Sequence, residues 1–160
     1  MLKNIMILIF IFAASRFVGL PANFSPLLAL AVYIPRVTNQ RVIQCLLPVG
    51  ILLGTNFFLE PVNYITLISM ALVFVAAPLI TIAIKNLLHS CICTILFWHI
   101  LVNGSVWLIN GGSIIETYVM AIEFDFRLLM STLVFVSIFY IFEKIALIIF
   151  NHLKYEGVIK

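Results

Sequence analysis

Ten of the polar residues in a mostly apolar chain are where chemistry could sit: Arg16, Asn23, Glu60, Asn63, Asn103, Asn110, Glu116, Glu123, Asp125 and Arg127. They lie near the ends of apolar runs. Ionisable groups near membrane depth are costly, so they are usually paired and mark a substrate or ion path. The competing reading is that Arg16 and Arg127 each neutralise a nearby acid and seal the fold, or reach out to lipid headgroups.

Bond-breaking chemistry has no residues to carry it. His89, His99 and His152 are separated from one another, and the ten-residue spacing of His89 and His99 does not place them one helical turn apart, as a metal site would need. Each reads as a packed or interfacial histidine. There is no Gly-x-Ser-x-Gly, His-Glu-x-x-His or Walker loop. The expectation is therefore no enzyme, no cofactor and no metal. Cys45, Cys91 and Cys93 lie in apolar stretches, and Cys91-Ile92-Cys93 has no second pair to complete a zinc site, so they read as buried, reduced thiols. Trp107 and Tyr118 suit the outer interface of a bilayer.

Polar groups this sparse need elements that hold them, and composition says what kind. The chain has 160 residues, 64% of them apolar, with nine Lys/Arg against six Asp/Glu. That is too little charge to cover a water-soluble globule, so the lipid bilayer must solvate much of its surface. The net charge of +3 is spread singly over segment ends and forms no patch, which excludes a nucleic-acid partner. One polytopic membrane domain over residues 1–150, followed by a polar tail at 151–160, is the expected organisation.

Apolar runs and breakers divide the domain into six segments, and a full crossing needs about 20 residues. The first spans Asn4 to Val18; Lys3, the apolar run and Ala13-Ala14-Ser15 also resemble a secretory signal peptide, against which Arg16 belongs to a motif that includes the end of this segment. The second, Ser25 to Ile34, opens on Ser25-Pro26, stops at Pro35 and is too short to span alone, so it must be tilted, re-entrant or shielded by protein. The third, Val42 to Leu59, carries Pro48 and a Gly50-x-x-x-Gly54 pattern that would admit a neighbouring backbone. The fourth follows Pro61 to Ile84 with Pro78 inside, and the fifth runs from Leu87 to Ile109, ended by Asn110-Gly111-Gly112-Ser113. A short stretch, Ile114 to Phe124, precedes the sixth crossing from Arg127 to Phe150.

Cytoplasmic retention of Lys and Arg assigns the sides. An inside N-terminus puts Lys3, Arg36, Arg41, Lys85, Lys144, Lys154 and Lys160 at cytoplasmic ends and leaves only Arg16 and Arg127 outside. Both termini are then cytoplasmic, and the ten polar residues gather on the outer side.

Two stretches carry a family resemblance. Arg16 through Pro26, with its Asn23-Phe24-Ser25-Pro26 core, resembles the R-[LF]-x-P-H-x-P-N-F-[ST]-P signature of small bacterial membrane proteins related to the substrate-binding S components of energy-coupling-factor (ECF) vitamin transporters; Gly19 and Leu20 stand where Pro-His is usual. Leu96-Phe97-Trp98 through Asn103-Gly104-Ser105-Val106-Trp107 resembles that family's FF-x-x-x-N-[FL]-G-V-W segment, and Tyr118 through Phe124 its C-Y-x-x-A-I-P-F-F segment. The family's Asp-x-x-[LI]-G element has only Thr55 and Asn56 here. The resemblance implies an all-α integral membrane fold, a bundle of about six helices like an S component, in the bacterial inner membrane. It implies a small-molecule ligand, of the vitamin class and for example a corrinoid, bound on the outer side by Arg16, Asn23, Asn103, Trp107, Glu123 and Arg127, with a membrane T subunit and cytoplasmic ATPases as partners. The other reading is a non-transporting structural subunit of a larger membrane complex.

Overall fold

A computed structural model of the chain describes residues 26–58 and 62–155. These form five helices and no strand: α1 (Leu27–Val37), α2 (Arg41–Asn56), α3 (Tyr64–Ile84), α4 (Leu87–Asn110) and α5 (Ile114–Tyr155). The expected first segment, Asn4 to Val18, lies outside the described residues. Three of the five helices, α3, α4 and α5, are long and apolar enough to cross a membrane.

The short α1 is the centre of the bundle. Leu27 to Ile34 are all buried, and α1 packs against each of the other four helices. A helix that is apolar on every side belongs inside protein, which is how a segment too short to span is kept from lipid. Ala29 and Ala31 have no exposed surface and share one core cluster with Leu28, Val32, Leu52 and the equally buried Ala77 and Val73 of α3. Small side chains let helix backbones approach closely where lipid provides no hydrophobic drive between helices.

Pro35 does not stop α1, which runs on to Val37 before Thr38 turns extended. A proline three residues from the end removes only one ladder bond, and the Thr38 amide still donates to the Ile34 carbonyl at 3.1 Å. The turn into α2 is fixed by Gln44, whose buried side-chain amide donates to the Thr38 carbonyl at 2.5 Å. Along α2, Pro48 is buried, whereas Gly50 and Gly54 point outwards with nothing within 4 Å of an added Cβ, so no close backbone approach uses them among the described residues.

Asn63 and Asn86 cap α3 and α4: their side-chain oxygens accept from the Ile65 amide at 2.9 Å and the His89 amide at 3.1 Å. Gly111 and Gly112, at φ of 70° and 83°, supply the left-handed turn that ends α4. Ser113 then accepts from the Glu116 amide at 3.3 Å and opens α5.

Residues 114–124 and 127–150 are not separate segments. They are one helix of 42 residues that continues to Tyr155, into the stretch expected as tail. Phe124-Asp125-Phe126-Arg127 contains no glycine or proline to break the ladder, and Glu123 and Arg127 form an (i, i+4) ion pair across the expected gap. At 1.5 Å per residue, α5 is about 63 Å long, roughly twice the thickness of a hydrocarbon core. Cys91 is buried as expected, but Cys45 is only half-buried and Cys93 faces out of the bundle.

The buried α1 makes a direct prediction. Ala31→Leu forces a branched side chain into space with no exposure and should destabilise the detergent-solubilised protein by about 1–3 kcal/mol, read as a lowered thermal midpoint. Leu96→Ala, on the outward face of α4, should change stability by no more than about 0.5 kcal/mol.

Candidate functional site

His99 and Asn103 stand one turn apart on α4 and so share a face. Opposite them on α5 is Asp125. Asp125 Oδ2 lies 2.6 Å from His99 Nδ1 and accepts from Asn103 Nδ2 at 2.7 Å, while Asn103 Nδ2 and His99 Nδ1 are 3.1 Å apart. Asp125 is 7% exposed and Asn103 9%. The His99 ring meets the Tyr118 ring edge-on, with centroids 5.1 Å apart.

The hairpin explains the meeting. His99 and Asp125 are each eleven residues from the ends of α4 and α5 at the turn, Asn110 and Ile114. Two antiparallel helices leaving one short turn bring equal distances together. Eleven residues correspond to about 16 Å, close to half of a ~30 Å hydrocarbon core. The cluster therefore sits halfway along a helix of crossing length.

Depth corrects the earlier expectation for Asp125, Glu123 and Arg127, which were placed near helix ends because a break was expected at 124–127. An unbroken α5 carries all three into the interior of the helix, more than two turns from its start. Of the six expected binding residues, Asn103 belongs to this cluster. Trp107 does not: its Nε1 donates to the Gly112 carbonyl at 3.1 Å and locks the turn. Glu123 and Arg127 are paired with each other on the exposed side of α5, with side chains 72% and 51% exposed, and the Arg127 guanidinium lies 6.0 Å from the Phe124 ring centre. Arg16 and Asn23 lie outside the described residues. Asn63, another member of the outer polar set, is a helix cap.

His99 was read as a packing histidine, and its role could have been found by pairing residues equidistant from the Gly111-Gly112 turn. A second cluster was beyond such reasoning. Arg36 at the end of α1 donates through Nε to Glu143 Oε2 of α5 at 3.1 Å, across 107 residues, and Tyr33 donates its hydroxyl to the same carboxylate. The Arg36 guanidinium lies between the Tyr33 and Tyr140 rings, at 5.8 and 5.5 Å from their centres. This clasp ties the buried helix to the far half of α5. Beside it, a cleft of about 430 Å³ is lined by apolar residues of α4 and α5, among them Leu88, Leu133, Val136 and Ile141, and by none of the expected binding residues.

Tyr118 also donates to the Ile100 carbonyl at 2.8 Å, and its hydroxyl would be 2.9 Å from a Cβ added at Gly104. Glycine at 104 thus leaves room for the ring that packs on His99.

Among the described residues there are helices only, three of them of crossing length, with a polar cluster buried between two, as in an all-α membrane protein. Residues 2–152 match the model of DUF6580, a family of unknown function, and the chain belongs to that family. Comparison with curated proteins and with solved structures finds no match.

Close packing of Tyr118 over Gly104 predicts that Gly104→Ala will lower the thermal midpoint by displacing the phenol. Adding Tyr118→Phe should recover part of the loss, because it removes the oxygen that the new methyl meets. Coupling of about 0.5–3 kcal/mol in that double-mutant cycle is the expected signature.

Proposed function

We propose that this protein is a membrane-embedded substrate-binding subunit for uptake of a small metabolite. The observation that carries the reading is the buried cluster of His99, Asn103 and Asp125 at mid-length of the α4–α5 hairpin. Polar and ionisable groups at that depth are expensive, and they mark substrate or ion sites more often than they serve packing. Asn103 is also the one expected binding residue that this cluster contains, and it lies in the stretch that resembles a segment of ECF S-component relatives.

The finer parts of the reading come from sequence. A bundle of about six helices in the bacterial inner membrane, with both termini cytoplasmic, follows from the charge distribution and the resemblance. A vitamin-like ligand, a membrane T subunit and cytoplasmic ATPases follow from the resemblance alone. Arg16 and Asn23 remain binding candidates on the same ground. Trp107, Glu123 and Arg127 are better read as the turn lock and a lipid-level ion pair.

A second reading has its own observation. Trp107 with Gly112 and Arg127 with Glu123 are satisfied within the chain, as expected of a non-transporting structural subunit that only holds helices together.

Uptake separates the two. In cells or proteoliposomes given labelled cobalamin as the first probe, followed by other vitamins, Asn103→Ala should reduce uptake or binding at least tenfold while membrane expression persists. Loss of expression, with no uptake by the wild type of any vitamin tested, favours the structural subunit. Co-purification of a T subunit and ATPases with the tagged chain checks the expected partners.

A further inference from the structure

We infer that His99 and Asp125 form a site for one exchangeable proton in the interior of the α4–α5 hairpin. The inference rests on charge balance. Asp125 is buried, and a carboxylate taken out of water needs a compensating charge. Asn103 gives it a hydrogen bond but no charge.

Among the described residues, the groups packed around it supply no permanent cation. On α4 the neighbours are His99 and Asn103, and on α5 Tyr118 turns its hydroxyl to the Ile100 carbonyl. Arg127 is committed to Glu123 on the exposed side of α5. From α3 the polar contact to α4 is Thr66 with Ser105, and that helix contains no charged residue. The ionisable groups of α1, Tyr33 and Arg36, are engaged with Glu143 at the far end of α5.

Among the described residues, imidazole is thus the only group in contact that can balance the carboxylate, and it does so only by holding a proton. With a neutral imidazole and an ionised Asp125 the cluster carries one negative charge. With one proton added it is neutral overall, whether as imidazolium and carboxylate or as imidazole and carboxylic acid. The 2.6 Å separation of Nδ1 and Oδ2 lets the proton be held by either atom without moving the helices. His99 is the less enclosed of the two, with its side chain 25% exposed against 9% for Asp125. Loading takes the proton from a hydronium ion, forms the new N–H or O–H bond and leaves water; unloading reverses it. Histidine is the side chain whose ordinary charge change falls near neutral pH, which suits it to this exchange.

A proton site here does not depend on any transported solute, so it goes beyond the uptake reading and is tested without one. The full-length chain in lipid nanodiscs is examined by pH-difference infrared spectroscopy between about pH 5 and about pH 8, the range over which histidine changes charge. The expected result is a paired change in imidazole and carboxyl bands that is lost in Asp125→Asn. In ¹⁵N-histidine spectra one ring, assigned as His99 by His89→Gln and His152→Gln, should shift over the same range in the wild type. If Asp125→Asn does not reach the membrane, His99→Gln, which keeps Asn103 on the carboxylate, should abolish the paired change instead. An infrared difference unaltered by whichever variant is expressed, or a His99 ring signal constant throughout, would overturn the site. Neither result bears on vitamin uptake, which is measured separately.

Discussion

A helix of eleven residues cannot cross a hydrocarbon layer, and its backbone ends have no water there to satisfy them. The described structure is built around meeting that constraint for α1. Four helices surround it, alanines bring their backbones close, and Thr38 with Gln44 satisfies its C-terminal end. Lipid touches the outer faces of α3, α4 and α5 instead, where large apolar side chains such as Leu72, Leu96, Ile100 and Ile141 are exposed.

Enclosing one helix leaves the long α5 with two attachments through carboxylates that differ in kind. Eleven residues from the turn it is held to α4 by Asp125 with His99 and Asn103, in a buried polar contact. Further along it is held to the end of α1 by Glu143 with Arg36 and Tyr33, in a partly exposed one. Charge pairs gain strength as water is withdrawn, but an incomplete pair loses more than a complete one gains. The buried contact is the one whose state matters, because removing one partner strands a carboxylate in an apolar interior. Solvent can screen the Arg36–Glu143 clasp, and its two flanking tyrosine rings add contact that needs no exact charge balance.

Much of the fold was legible in the residues themselves. Apolar runs bounded by Pro61 and by Asn110-Gly111-Gly112-Ser113 located α3 and α4 to within about three residues, since turns are local chemistry. The short second segment was recognisable as one that needed shielding. The expected break at 124–127 was not there. Charged residues suggested an interface with water, whereas a helix with no glycine or proline simply continues and lets Glu123 and Arg127 neutralise each other. The small-residue pattern at Gly50 and Gly54 was equally ambiguous, because spacing states that a close approach is possible and not which neighbour is present.

By itself the sequence determined that this is a helical membrane protein, where most helices begin and end, and that its few polar groups had to be paired or used. Local hydrogen bonding and hydropathy are sufficient for those conclusions. Only the tertiary structure decided which polar groups meet. His99 and Asp125 are 26 residues apart, and they meet only if α4 and α5 pack as one hairpin; Arg36 and Glu143 are 107 apart, and no local rule connects them. The first pair is brought together by equal distances from a glycine turn, the second by the burial of α1 against α5. Both depend on how helices pack in three dimensions, and that turned a scatter of polar residues into a buried cluster at one level and a clasp at another.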